Sequence, residues 1–270
     1  MTRLLEKWRP STWPGNNGVA RTSTESGLVT AIDIGATKVC AIVGRKTETG
    51  DFRILAHSIV SRGGLIKGNV ADIRATESAV RKSIREVGHK IGQPIDTVFV
   101  GVTGTHVSVE NRRDRLNLVS DHGVITANQL HPASGSTSSL GRKPGRKIIH
   151  AIRTSYTVDG EKGIRNPVGM HSLNVEADTH LVTGDTSFID RLVQAVENTG
   201  VKISSLVLGP FASGLAVITP EERERGVVLV DIGGGTTDVI VFERGSIRYV
   251  SVVPIGGYQF TNDISVTFNT

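Results

Sequence analysis

Apolar and polar positions alternate in short runs through most of this chain, and their spacing divides it into strands and a few amphipathic helices. Period-two alternation predicts strands over 28–34, 38–44 and 52–60, followed by a glycine-rich passage from Arg62 to Gly68. Ala79, Val80, Ile84, Val87 and Ile91 recur at helical spacing and predict a helix over about 74–90, with a strand at 97–102 after it. Residues 103–176 differ, with strand-like runs at 106–110, 147–157 and 172–176 and, between Pro132 and Arg146, a Ser/Gly-rich stretch that reads as a loop. A strand over 178–183 leads into a helix over 186–199, where Ile189, Leu192, Val193 and Val196 share one face and Gly200 is placed to end it. Beyond Ser205 a second domain is expected: a strand at 206–208, a short helix at 211–217, strands at 226–232, 237–243 and 246–253, and a helix start at Asn262-Asp263.

One pattern occurs twice. The strand ending in Asp33-Ile34-Gly35-Ala36-Thr37-Lys38 has a counterpart in Asp231-Ile232-Gly233-Gly234-Gly235-Thr236-Thr237, and each copy runs into a second apolar strand. Such a hairpin suits a phosphate chain. Glycine permits positive φ and close backbone approach, so that amides face the phosphate oxygens, and threonine adds a hydroxyl donor. An Asp at the strand end cannot bind an anion itself, so it is expected to hold a hydrated Mg²⁺. Lys38 can neutralise phosphate charge, and Asp238 is expected to face the metal beside Asp33 and Asp231. Two such hairpins predict two related domains that present matching turns to one ligand.

Composition narrows this little: 38% apolar and 21% charged residues describe an ordinary globular protein, long enough for one large or two modest domains. The net charge of +5 is mild. The basic run around Arg142, Lys143, Arg146 and Lys147 has no interleaved aromatic residues, so no nucleic acid is expected as partner. Cys40 stands alone in a strand, which excludes a disulfide framework and points to a reducing compartment. No apolar run is long enough to span a membrane, and Arg3, Glu6, Lys7 and Arg9 break any signal-peptide core, so the cytoplasm is the expected location. Residues 1–26 read as a mobile tail in which Leu4, Leu5 and Trp8 form at most a short apolar face. The eight histidines lack metal-ligand spacing, and neither a P-loop nor a nucleophile elbow is present.

The paired hairpins resemble the two phosphate motifs of the actin-like ATPase superfamily. Arg62–Val70, Val100–Val107, Gly163–Met170 and Val253–Ile264 narrow the resemblance to the FtsA family of bacterial cell-division proteins, from about Leu28 to Phe268. The resemblance implies an α/β, actin-like fold of ribonuclease-H-like domains with an inserted 1C subdomain. Subdomain IA would comprise 27–97 with 177–205, 1C would be 98–176, and IIA would open at 206 and be incomplete at 270. It further implies ATP and Mg²⁺ as ligands, held by Asp33, Gly35, Ala36, Thr37 and Lys38 in the first motif and Asp231, Gly233, Gly234, Gly235, Thr236 and Thr237 in the second. FtsA-like proteins form filaments, contact other divisome proteins through 1C, and tether FtsZ to the inner face of the cytoplasmic membrane at the division site.

Three departures qualify what is carried over. Gly209 stands before Pro210, where many relatives in the superfamily carry the Glu that positions attacking water, so slow hydrolysis at most is expected and no catalytic base is assigned. The adenosine motif, subdomain IIB with its FtsZ groove and the amphipathic membrane helix would lie beyond Thr270, so the sequence reads as a C-terminally truncated chain. The Ser/Gly-rich stretch stands where 1C usually has a helix. Two other readings compete: a sugar kinase, which would need a general-base Asp that 97–110 does not supply, and an actin-like pilus-assembly adaptor.

Overall fold

Five strands of the first sheet gather the longest apolar runs of the chain. The computed structural model describes residues 27–47, 52–61, 64–66, 68–116, 123–130, 143–172 and 174–269. Strands β1 (Leu28–Ile34), β2 (Lys38–Lys46) and β3 (Phe52–Ser61) form an antiparallel meander, and β6 (Thr97–Val102) and β11 (Lys202–Leu208) add in parallel, giving the order β11-β6-β1-β2-β3. A two-stranded ribbon, β4 (Leu65–Ile66) with β5 (Asn69–Val70), occupies the glycine-rich passage. Helix α1 (Ile73–Ile91) packs on β2 and β3, and α3 (Thr186–Glu197) packs beside it. The caps of α1 follow from its sequence: the Asp72 carboxylate accepts from Ala75 N–H at 3.0 Å, and Gly92 closes the helix at φ 74°. Thr76, Ala79, Val80, Ser83, Ile84 and Val87 turn inward onto Val39, Ala41 and Val43.

A second sheet is wholly antiparallel, in the order β7-β10-β8-β9, with β7 at Val107–Leu116, β8 at Arg146–Val158, β9 at Glu161–Ile164 and β10 at Val175–Asp185. The short helix α2 (Ala127–Leu130) covers a small core of its own with Leu116, Ile125, Tyr156 and Val175. His150 joins this sheet to the first: its Nε2 accepts from the buried Leu208 N–H at 2.9 Å, and burial pushes its pKa down to about 4, which keeps it neutral for that role. The third sheet is β12 (Val227–Ile232), β13 (Thr237–Glu243) and β14 (Ser246–Val253), reached through α4 (Gly209–Val217) and α5 (Pro220–Arg225) and followed by α6 (Gly257–Phe268). Ile240, Phe242, Ile247 and Val250 join Phe211 and Ile218 in the main core cluster, whereas no residue of α6 is buried.

Several expectations change. The boundaries expected at 97/98, 176/177 and 205/206 each fall inside a strand, namely β6, β10 and β11. The strand expected at 206–208 starts at Lys202 and completes the first sheet. The runs at 172–176 and 178–183 are one strand, because two register shifts let β10 bend without breaking its pairing to β8. The last helix starts at Gly257, not at Asn262-Asp263: Gln259 caps it by accepting from Gly256 N–H at 2.8 Å. Helix α5 was not foreseen, although Thr219-Pro-Glu-Glu222 spells its capping box. The tail over 1–26 and most of the stretch 132–146 lie outside the described residues, while Arg146 is the first residue of β8.

Ile189 is 2% exposed, and its side chain fills the space beside Gly184 and Ile149. Ile189→Ala should lower unfolding free energy by about 2–4 kcal/mol in urea titrations monitored by circular dichroism. A loss below about 1 kcal/mol would mean that α3 is not seated as described.

Candidate functional site

Both copies of the repeated motif form the same hairpin. In the first, Asp33 pairs with Cys40 and Ile34 with Val39. In the second, Asp231 pairs with Asp238 and Ile232 with Thr237. Each turn is closed by one backbone bond four residues long, Gly35 N–H to Lys38 O at 2.8 Å and Gly233 N–H to Thr236 O at 2.9 Å. Of the two uses expected of the glycines, positive φ and close approach, only the second is found. None of Gly35, Gly233, Gly234 or Gly235 adopts positive φ. Their value is close approach: a Cβ on Gly35 or Gly233 would stand 3.1 Å from the carbonyl closing its turn, and one on Gly234 would stand 2.5 Å from Thr37 Cγ2. The tips of the two hairpins therefore touch, Gly234 against Thr37.

The carboxylates meet behind that contact. Asp238 is 6% exposed, and its carboxyl is pushed up to about 6 by burial, with Asp231 and Asp33 adding repulsion against a stabilising bond from Thr103. Thr103 Oγ1 donates to Asp238 Oδ1 at 2.5 Å and so links the end of β6 to β13. Asp33 is raised as well, first by desolvation and then by Asp231, while Lys38 opposes the rise. Its surface is open to solvent along one side, so burial here means protein on the remaining sides rather than full enclosure. Asp231 accepts from Ser213 Oγ of α4 at 2.9 Å. Among the described residues no three such side chains converge closely enough to ligate a metal directly. Three carboxylates that repel one another, relieved only by Lys38 and two hydroxyls, are nevertheless the chemistry a hydrated divalent cation fits.

The turn of the second hairpin is also held from behind. Gly257 N–H donates to Gly233 O and Tyr258 N–H to Gly234 O, each at 2.9 Å, so the start of α6 consumes the turn's carbonyls. The amides of Gly234 and Gly235 donate to no group among the described residues. Gly256 is required here, since a Cβ on it would lie 2.6 Å from Gly233 O. Thr236 is buried, and Thr237 spends its proton on Ile255 O at 2.8 Å, a tether between β13 and the start of α6 rather than a free donor. At Gly209 a Cβ would meet only ordinary contacts, 3.6 Å from Thr103 Cβ and 3.7 Å from Val102 O.

Thus the turn that runs from Asp33 through Gly35, Ala36 and Thr37 to Lys38 comes up against the turn that runs from Asp231 through Gly233, Gly234 and Gly235 to Thr236, with Thr37 touching Gly234 and with Asp33, Asp231 and Asp238 close enough to repel one another. Thr103, Ser213, Gly256 and Gly257 belong to this site too. The Gly256-Gly257 pair after a strand was a visible signal for a close approach, whereas nothing in the chain distinguished Ser213 from other helix serines.

The chain was compared with known families, curated proteins and solved structures. A family model described as the SHS2 domain inserted in FtsA matches residues 104–183, and one for cell division protein FtsA matches residues 228–270. The chain is 32% identical to cell division protein FtsA of Pseudomonas aeruginosa, covering 92% of this chain and 59% of that protein. It is 31% identical to the protein of the same description from Escherichia coli K12, over 92% of this chain and 59% of that one. The chain therefore spans about three-fifths of the length of these curated relatives. Among solved structures, a PilM–PilN type IV pilus biogenesis complex superposes with a TM-score of 0.62 at 16% identity, covering 90% of this chain and 66% of the other, a likeness of fold alone. The fold is actin-like, as expected.

Because the folded protein holds a proton on Asp238 to about pH 6 and the unfolded chain only to about 3.8, the folded state loses stability as pH rises through that window. Asp238→Asn keeps the acceptor for Thr103 and removes the charge. It should match the unchanged protein near pH 4 and exceed it at pH 7.5 by about 3 kcal/mol in metal-free urea titrations. Equal stability of the two proteins at both pH values would mean that Asp238 is not buried as described.

Proposed function

Because the sequence is FtsA-like over nine-tenths of its length, we propose that this chain acts as an ATP-binding, filament-forming adaptor of bacterial cell division. The observation that carries the nucleotide reading is the contact of two matched turns, Gly234 against Thr37, over a group of three carboxylates. In this reading the unpaired amides of Gly234 and Gly235, with those of Ala36 and Thr37, face the phosphate oxygens. Lys38 balances their charge. Asp33, Asp231 and Asp238 hold Mg²⁺ through its waters, and the ion, when bound, screens the phosphates from these carboxylates. The division of the chain into IA, 1C and partial IIA belongs to the same proposal, as do divisome contacts through 1C. The link to FtsZ and the attachment to the inner face of the cytoplasmic membrane are assigned to a protein of the relatives' full length.

Turnover is slow in this proposal, since Gly209 offers no group to orient water. Its surroundings leave room for a side chain, and a carboxylate at the first turn of α4 would be favoured by the helix dipole. Gly209→Glu should fold normally and raise the ATP hydrolysis rate at least ten-fold, measured by phosphate release. No increase in a folded, ATP-binding variant would show that the missing carboxylate is not what limits the rate.

The binding site is tested by Asp231→Ala and Gly234→Val, the second of which drives a side chain into Thr37. Both should weaken Mg-ATP binding at least ten-fold by calorimetry, with circular dichroism spectra retained. Unchanged affinity in both would remove the phosphate-turn assignment.

A further inference from the structure

At the other end of β13, remote from the aspartates, a cavity of about 640 Å³ opens between the second and third sheets. Five arginines line it: Arg112 and Arg113 of β7, Arg165 just after β9, Arg244 of the β13–β14 turn and Arg248 of β14. Only two carboxylates, Asp178 and Glu243, are among the lining residues. We propose that this cavity is a binding site for a soluble oligophosphate, separate from the site of the paired hairpins.

The internal pairing of these arginines differs in strength: Arg112 is held by the largely buried Asp114 at 3.2 Å, and the others are held more loosely or at the surface. Arg113 forms a forked pair with Asp178, at 2.7 and 3.2 Å, and is the best held of these others. Arg165 meets Glu224 of α5 at 2.6 Å with both side chains more than half exposed, and Arg248 stands 3.6 Å from Glu243 with both also more than half exposed. Exposed pairs of this kind hold weakly and can exchange their carboxylate for a ligand oxyanion. Arg244 is the most informative. It sits at φ 50° beside Gly245 at φ 74°, a turn that favours Asn and Gly, and its charge acts on the Glu224 carboxylate, which Arg165 holds directly. Two arginines, Arg165 and Arg244, thus share one half-exposed carboxylate, which leaves positive charge in excess at this side of the cavity.

The shape selects the ligand class. The volume lies within the usual range of small-molecule sites, about 300–1,000 Å³. No aromatic side chain lines it, so a nucleobase would have nothing to stack on, while planar guanidinium forks match phosphate oxygens. The edge of β14 that a peptide strand would need is approached by β7, where Asn111 Nδ2 donates to Arg248 O at 3.3 Å.

The test is calorimetric titration of inorganic tripolyphosphate into the 270-residue chain, without metal. Arg244→Asn suits the turn better than arginine, so it should keep or raise thermal stability while weakening tripolyphosphate about ten-fold. Arg165→Gln should weaken it similarly, and affinity should fall as salt rises. Gly234→Val, which fills the contact between the hairpin tips, should leave this binding intact. The proposal is overturned if folded Arg244→Asn and Arg165→Gln both bind as the unchanged chain does, or if Gly234→Val abolishes binding while they retain it. Tighter capture of an oligoglutamate peptide than of tripolyphosphate, lost in Arg244→Asn, would overturn the ligand class and make the cavity a peptide site.

Discussion

Three carboxylates must share one cleft, and the rest of the architecture is arranged around that repulsion. Asp33 comes from the first sheet, and Asp231 and Asp238 come from the third, so each charge is fixed by a different strand end. The local neutralising groups are few: Lys38 on the hairpin itself, and the hydroxyls of Thr103 and Ser213. Such a cluster carries a repulsive cost that grows with burial. The Thr103–Asp238 bond joins the two sheets at that point, which makes the energetics of the cluster also the energetics of how the sheets meet.

The two hairpins are alike in backbone and unlike in chemistry. Identical closing bonds at Gly35 and Gly233 give them one geometry, yet the position facing Asp33 is Cys40 while the position facing Asp231 is Asp238. Acidity is thus concentrated on the second hairpin and the lysine on the first. The anchoring of the second turn by α6 follows the same division. A turn whose carbonyls are consumed from behind presents only its amides forward, which is the polarity a phosphate requires.

Much of this could be read in the chain because it rests on local rules. β1, β6, β13 and β14 are placed to within a residue; β6 and β13 alternate buried and half-buried positions along nearly their whole length, and all four are bounded by turn residues. The repeated Asp-Ile-Gly motif identified the cleft because both copies are contiguous segments. What escaped was set by tertiary contact. The bend that lets β10 run through from Val175 to Asp185 depends on its partner strands, and the start of α6 depends on carbonyls more than twenty residues earlier in the chain. Positive φ was expected at the turn glycines from their residue type. Their true constraint, the approach of Thr37 and of neighbouring carbonyls, needs both hairpins in place. Nothing local could have gathered arginines from β7, the residue after β9, the β13–β14 turn and β14 into one cavity.

The acidic and basic sites lie at opposite ends of one strand, and distance keeps them from cancelling. From Asp238 to Arg244, β13 covers about 20 Å at roughly 3.3 Å per residue. That exceeds two Debye lengths at physiological salt, about 8 Å each, so charges at the two ends are screened from each other through solvent. Their surroundings differ as well. Asp238 is buried, and its interactions persist at high salt, whereas Arg244, Arg165 and Arg248 face an open cavity where salt competes directly. One sheet can therefore carry a cation-seeking end and an anion-seeking end, each answering to its own ligand, with a strand of alternating buried residues as the spacer between them.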